Sequence, residues 1–232
     1  MGKETKISWT ESTLNTAMGC TKVSPECLNC YMYRSRFINP TKLTLTKAGQ
    51  SNVLLENRIR SLNNIIFVNS MSDTFHKDIP DALLDMWFSA FAEFPEKKFQ
   101  ILTKRPERAM QYLTTRQLPD NCWLGVSVGV KSSLPRIDII RSAYASIRFV
   151  SFEPLLEDMG EINLQGIDWV IIGGESDFKA PRAMKPEWAE NIIKQAKAQG
   201  AAVWFKQMGG LGSGGAGGDM LKGRQIHEMP KV

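Results

Sequence analysis

The chain has 232 residues, enough for one domain with a complete hydrophobic core. Its apolar fraction of 43% and charged fraction of 23% are ordinary for a globular protein, and a net charge of +5 permits a nucleic-acid or nucleotide partner without requiring one. No apolar run is long enough for a transmembrane helix, and the polar N-terminus lacks the apolar segment of a signal peptide. We therefore expect a single domain over residues 1–232, located in the cytoplasm and independent of membranes.

A weak strand signal around Ser12–Thr16 opens the chain and precedes three closely spaced cysteines, so that residues 1–36 are expected to form an N-terminal strand and a cysteine loop. From residue 65 onward, short apolar runs alternate with helical stretches, as in a parallel sheet covered by helices. The predicted strands are Ile65–Asn69, Phe99–Thr103, Trp123–Val128, Ile147–Ser151, Trp169–Ile172 and Ala202–Lys206. The predicted helices are Asp81–Phe94, Pro106–Leu113, Leu134–Ala145 and Pro186–Ala198.

This rhythm predicts an α/β fold, specifically a partial (β/α) barrel of about six to seven parallel strands, because a complete eight-unit barrel usually needs about 250 residues. Polar, charged and glycine residues follow almost every predicted strand. The carboxyl ends of parallel barrel strands carry the active site, so these residues are candidate site residues. They include Ser70, Ser72, Asp73, Lys104, Arg105, Ser127, Glu153, Gly173, Gly174, Glu175, Lys206 and Gln207.

The cysteine motif is Cys20-x6-Cys27-x2-Cys30, and in a reducing compartment such a cluster favours metal ligation over disulfides. Three thiolates leave one position of a [4Fe–4S] cluster open, where S-adenosylmethionine can bind. Zinc is the alternative, with His76 or Cys122 as the remaining ligand. Cys122 stands alone in an apolar run, where a cysteine is usually a small buried hydrophobe. The spacing favours the cluster over zinc.

Tyr31, Tyr33 and Phe37 follow the cysteines and can shield a cofactor or stack on a base, although the two tyrosines fit core packing equally well. The segment 209–218 is glycine-rich and matches a dinucleotide-binding spacing. No amphipathic helix follows it, so we expect a flexible loop there. Residues after Met220 are expected to form a short terminal hairpin or strand.

The chain resembles a phage-associated three-cysteine-motif family, which is radical S-adenosylmethionine-like and mostly labelled as of unknown function. The resemblance rests on the segments 7–10, 19–31, 102–106, 123–128, 151–156, 169–176 and 205–207, and so covers nearly the whole chain. The chain departs from the wider radical superfamily in its cysteine spacing, which is six and then two residues. Its Gly173-Gly174-Glu175 motif also comes near the sixth strand instead of the second.

The resemblance implies a radical S-adenosylmethionine enzyme whose cofactors are a [4Fe–4S] cluster and S-adenosylmethionine. It makes Cys20, Cys27 and Cys30 the cluster ligands. The rim residues expected to contact S-adenosylmethionine are Ser70, Ser72, Asp73, Ser127, Glu153, Gly173, Gly174 and Glu175, and those expected to bind substrate are Lys104, Arg105 and Lys206. For Glu153 and Glu175, a structural ion pair with Lys104, Arg105 or Lys206 fits the sequence equally well.

The basic rim and the aromatic residues fit a nucleotide or a base in DNA as substrate. The phage association implies DNA modification, for example isomerisation of an amino-acid adduct of thymidine that protects the phage genome from host restriction. An electron donor such as flavodoxin or ferredoxin is then required, and the compartment is the cytoplasm of the infected host. Two other functions stay open. One is a DNA-repair or tRNA-modifying radical enzyme, and the other is a non-catalytic, zinc- or cluster-stabilised nucleic-acid-binding module.

Overall fold

Seven parallel strands form one sheet, in which each strand pairs with the next one along the chain. The computed structural model describes residues 5–35, 39–212 and 215–231, and its sheet is curled into a half-barrel. The strands are β1 (Ser12–Leu14), β2 (Ile65–Val68), β3 (Lys98–Thr103), β4 (Cys122–Ser127), β5 (Arg148–Phe152), β6 (Trp169–Gly173) and β7 (Ala202–Gln207). The predicted partial barrel of parallel strands is confirmed.

Helices fill most of the connections between these strands. They are α1 (Asn52–Arg60), α2 (Asp81–Ala92), α3 (Pro106–Leu113), α4 (Pro135–Arg141) and α5 (Pro186–Ala198). Prolines begin α3, α4 and α5, where the missing amide hydrogen costs no helical hydrogen bond. Ser51 caps α1 by accepting a hydrogen bond from the amide of Leu54.

Two hydrophobic clusters occupy the two faces of the sheet. The larger lies between the convex face and the helices, and includes Phe91, Phe99 and Leu124. The smaller is largely aromatic, lies on the concave face, and consists of Trp9, Phe67, Trp123, Ile147, Phe149, Trp169 and Ile171. The Trp9 ring lies 4.6 Å from the ring of Phe67 on β2 and 6.0 Å from that of Trp169 on β6. The N-terminal segment therefore closes the lower part of the half-barrel.

The chain after β7 returns to the open edge of the sheet. Short strands pair as Ala17–Met18 with Thr44–Leu45, Ser176–Asp177 with Gly210–Leu211, and Met220–Leu221 with Arg224–Gln225. The last pair confirms the terminal hairpin predicted from the sequence. Residues 226–228 then pair with β7: Phe205 donates to Ile226, and Glu228 donates to Val203. No helix in the described ranges is long and apolar enough to cross a membrane.

Candidate functional site

A cavity of about 580 Å³ opens at the carboxyl ends of the strands. Its lining includes Cys20, Cys27 and Cys30, and it also includes every rim residue predicted above except Gly173. Residues 19–35, here called the cysteine loop, cross this end of the half-barrel through two 3₁₀ turns, Pro25–Cys27 and Tyr31–Arg34. The structure therefore brings the predicted cofactor and substrate residues to one cavity.

The three thiols of the cysteine loop are free, with Cys27 buried and Cys20 and Cys30 partly exposed. Burial raises the pKa of the Cys20 and Cys30 thiols, and negative charge on Cys27 adds a smaller rise to both pKa values. The shifts of Cys20 and Cys30 thus reflect mainly the burial of their sulfur atoms. However, no group of three His, Cys, Asp or Glu side chains among the described residues is arranged as a metal-ligand set.

Arg105, at the end of β3, holds the first part of the cysteine loop. Its guanidinium donates to the Cys20 sulfur at 3.5 Å and to the carbonyl and hydroxyl oxygens of Thr21 at 2.9 Å. It also pairs with Asp73 at 2.9 Å. The Asp73 carboxylate accepts further hydrogen bonds from Phe75 and Lys104 amides and the Thr103 hydroxyl. Both side chains therefore have structural partners within the protein.

Glu26 fixes the middle of the loop, and sequence reasoning missed it. One carboxylate oxygen accepts hydrogen bonds from the Gly129 amide at 3.1 Å and the Ser133 hydroxyl at 2.6 Å, and it pairs with Arg136 at 3.2 Å. Burial opposes ionisation, but hydrogen bonds led by that from Ser133 lower the pKa of Glu26 to about 2. The ionised side chain therefore ties the residue next to Cys27 to the segment after β4.

The end of β6 holds the last part of the loop. Asn29 donates to a Glu175 carboxylate oxygen at 2.8 Å, and Arg182 binds the same carboxylate through its guanidinium and its amide. Arg182 also donates to the Pro25 carbonyl at 3.0 Å, and Arg34 pairs with Asp177. The partner of Glu175 is thus a residue that sequence analysis did not name.

Glu153 and Lys206 form an ion pair inside the cavity, one of the structural pairings considered from the sequence. Glu153 directly follows β5 and Lys206 lies on β7, and these two strands flank β6. A Cβ atom at Gly173 of β6 would lie 3.4 Å from the Glu153 carboxyl carbon, which is an ordinary van der Waals distance. Lys104 makes no ion pair with any described residue, which leaves its ammonium group available at the rim.

Polar residues after β2 contact the cysteine loop directly. Tyr31 donates to the Ser70 carbonyl oxygen, and the Ser72 hydroxyl donates to the Gly19 carbonyl at 2.7 Å. Tyr31 is half exposed at the cavity, which contradicts a core-packing role, whereas the Tyr33 hydroxyl donates to the Cys20 carbonyl at 2.7 Å. Phe37, expected to stack on a base, lies outside the described residues.

Gly174 has a packing role. A Cβ atom there would lie 1.9 Å from the carbonyl oxygen of Met208, so only glycine allows the two backbones to approach this closely. The glycine-rich segment begins directly after Met208, at Gly209, whose amide donates a hydrogen bond to the Ala216 carbonyl oxygen. Residues 213 and 214 of that segment lie outside the described part of the chain.

The two remaining candidate zinc ligands, His76 and Cys122, lie in different parts of the fold. The His76 ring nitrogen Nε2 lies 3.1 Å from the hydroxyl of Thr21, next to Cys20. Cys122 is fully buried in the cluster between the sheet and the helices, on the face opposite the cavity. Its predicted role as a buried apolar residue is confirmed.

Fold and site together define an α/β half-barrel protein with a thiol-lined cavity at the carboxyl ends of its strands. The model of a family described as "protein of unknown function (DUF5131)" matches residues 4–230. The chain therefore belongs to this family, in agreement with the resemblance to a family mostly labelled as of unknown function. No curated protein and no solved structure gives a significant match.

Proposed function

We propose that this protein is a radical S-adenosylmethionine enzyme that acts on a nucleotide or a modified base, with a [4Fe–4S] cluster held by Cys20, Cys27 and Cys30. The observation that supports this most strongly is that three thiols of one loop line a single cavity at the carboxyl ends of a parallel half-barrel. Three soft ligands fit an iron–sulfur cluster with one open position. When bound, the cluster supplies the electron that cleaves S-adenosylmethionine.

The residues around the loop have defined tasks in this proposal. Glu26 and Arg105 hold the loop against β4 and β3, and the Arg105 guanidinium also donates a hydrogen bond to the Cys20 sulfur. Hydrogen bonds to ligand sulfurs tune the potential of a cluster. Cluster binding would require the three sulfurs to converge, because no three such side chains among the described residues are arranged as a ligand set. Cysteine thiols also release their protons when they bind metal as thiolates.

The first test is purification without oxygen, followed by iron and zinc counts and an assay for reductive cleavage of S-adenosylmethionine. We expect about four irons per chain and formation of deoxyadenosine. Cys27→Ala should abolish both, whereas Cys122→Ala, a matched change on the other face of the sheet, should abolish neither. An iron-free protein without cleavage activity would contradict the proposal.

The proposed substrate is a base in phage DNA, such as an amino-acid adduct of thymidine that the enzyme isomerises in evasion of restriction. Lys104 lines the cavity at its rim, which supports a role for its ammonium group in contacting a phosphate group. A flavodoxin or ferredoxin supplies the electron in this scheme. Incubating the iron-loaded protein with modified phage DNA, S-adenosylmethionine and reductant should alter the modified nucleoside seen by mass spectrometry. Unchanged DNA, with cleavage intact, would contradict this substrate alone.

A zinc-stabilised nucleic-acid-binding module is the second candidate. It is favoured by the position of His76, whose ring lies beside Thr21, the residue that follows Cys20. The same metal analysis decides between the two candidates. One zinc per chain, lost together with folding in Cys27→Ala, would favour the module, since structural zinc contributes directly to folding.

A further inference from the structure

The floor of the cavity is formed by neutral residues of the concave face. Alternate residues of β5 and of the position after it, Phe149, Ser151 and Glu153, face the concave side of the sheet. Of these, Ser151 and Glu153 line the cavity. The first cavity-lining residues on four of the strands are Phe67, Leu102, Ser127 and Ser151. Trp9 of the N-terminal segment also lines the cavity, and its ring packs against that of Phe67.

Two polar atoms at this floor lack hydrogen-bond partners. Ser151 Oγ and Trp9 Nε1 are buried and make no hydrogen bond within the described ranges, and their residues are 1% and 3% exposed. A buried unpaired donor or acceptor costs about 1–3 kcal/mol. Trp123 Nε1 is also unpaired, but that residue does not line the cavity. A hydrogen-bonding occupant that reaches the floor would satisfy both atoms.

The walls and rim restrict the chemistry of that occupant. Trp9 and Phe67 present adjoining aromatic rings, with centroids 4.6 Å apart. The charged residues Lys104, Glu153 and Lys206 lie at the next concave position along their strands, about 7 Å nearer the rim. The cavity is therefore aromatic and neutral at its floor and charged at its mouth. A nucleotide has the same division, with a neutral planar base at one end and a phosphate at the other.

We propose that the floor residues Trp9, Phe67 and Ser151 form a nucleobase subsite. Trp9 Nε1 donates to a ring acceptor of the base, and the Ser151 hydroxyl bonds its polar edge. The inference deepens the proposed function, because the base belongs either to the S-adenosylmethionine adenosine or to the substrate. Both sources present the same planar, hydrogen-bonding ring to these residues.

The test is isothermal titration calorimetry of the full chain, purified without oxygen, with adenosine, thymidine and ribose. Trp9→Phe keeps an aromatic ring but removes the donor, and Ser151→Ala removes only the hydroxyl. We expect each to weaken nucleoside binding about 3- to 10-fold, the usual value of one hydrogen bond. Trp188→Phe and Ser142→Ala, the same changes outside the cavity, should leave binding unchanged.

Urea unfolding checks that the variants fold, and Ser151→Ala is expected to be at least as stable as the unmodified chain because it removes an unpaired polar atom. Binding of either nucleoside with the expected losses supports the subsite, and competition with S-adenosylhomocysteine identifies the adenosine source. Three results would overturn the subsite: ribose that binds as tightly as the nucleosides, nucleosides that do not bind, or binding that is unchanged in both variants. The last result is expected if ordered water fills the floor. Calorimetry needs neither iron nor turnover, so this result is independent of the cluster assay.

Discussion

The carboxylate of Glu175 accepts hydrogen bonds from two separate segments, Asn29 in the cysteine loop and Arg182 after β6. Its side chain is 5% exposed. Burial raises the pKa of Glu175, but the hydrogen bonds from Arg182 and Asn29 outweigh burial and hold the pKa below its ordinary value of 4.5. The ionised carboxylate is therefore one link between the loop and the barrel.

This shift predicts a stability that depends on pH. A carboxyl group with a lowered pKa in the folded state stabilises the fold above its ordinary pKa, and the contribution disappears as the pH falls through the lower folded-state value. We expect Glu175→Gln to lower the free energy of unfolding at pH 7. The difference from the unmodified chain should shrink as the pH is taken below 4.5. Urea unfolding at a series of pH values measures it.

Arg182→Gln supplies the control for this prediction, because it removes the main partner of Glu175. In that background, Glu175→Gln should change the free energy of unfolding much less, and its dependence on pH should be weaker. An equal effect of Glu175→Gln at pH 7 and pH 3 would contradict the assignment of this pair.

Sequence reasoning found the charged rim residues but only some of their partners. The pairing of Glu153 with Lys206 was one of the predicted possibilities, because both residues come at the ends of predicted strands. The partners of Glu26 and Glu175 were missed, because Arg136 and Arg182 lie in connections whose path the strand pattern does not define. An acidic residue directly between Pro25 and Cys27, in a loop expected to carry metal, was the available signal for Glu26.

At the scale of the elements, β6 and the chain after β7 approach each other closely at Gly174. A methyl group there would meet the backbone carbonyl of Met208 at 1.9 Å, whereas one at Gly173 would meet side-chain atoms at 3.4 Å. The two neighbouring glycines therefore differ in what they tolerate.

We predict that Gly174→Ala lowers the free energy of unfolding by about 2–3 kcal/mol, because the backbone must move to relieve the clash. Gly173→Ala is the matched control and should cost less than about 1 kcal/mol, since its new methyl group makes ordinary contacts. Urea unfolding of both variants measures the costs. Equal stability of the two variants would show that the close approach at Met208 is not a constraint on the fold.

The elements with a regular pattern were predicted well, and those without one were not. Pro106–Leu113 and Pro186–Ala198 have the predicted bounds, because proline marks each start. The predicted helix Leu134–Ala145 is shorter in the structure, where α4 ends at Arg141. Helix α1 was not predicted, since among its nine residues only Leu55 and Ile59 are buried. The connection from β5 to β6 carries no helix in the structure.

Across the whole molecule, residues 226–228 cover the edge strand β7. The pairing continues the sheet beyond its last parallel strand, the His227 ring stacks on Trp204 at 4.1 Å, and the Trp169 indole donates to the Glu228 carbonyl at 2.9 Å. An uncovered edge strand presents unpaired backbone groups that other chains can join. The segment therefore protects this edge of the sheet.

Removal of residues 226–232 is predicted to lower the melting temperature and to cause concentration-dependent aggregation, because it exposes the backbone of β7. Circular dichroism and light scattering measure the two effects. Removal of 231–232 alone is the control and should leave both unchanged. A monomeric, equally stable product of the longer deletion would show that the edge needs no cover.

The order in which contacts arise during synthesis follows from the anchoring of the cysteine loop. The bond from Asn29 to Glu175 joins residues 146 positions apart, and that from Arg182 to the Pro25 carbonyl spans 157 positions. The loop leaves the ribosome near the beginning of translation, whereas these anchors emerge only when most of the chain has been made. The last part of the loop thus gains these anchors late in translation, and a cluster of the proposed kind would enter the finished pocket only after synthesis.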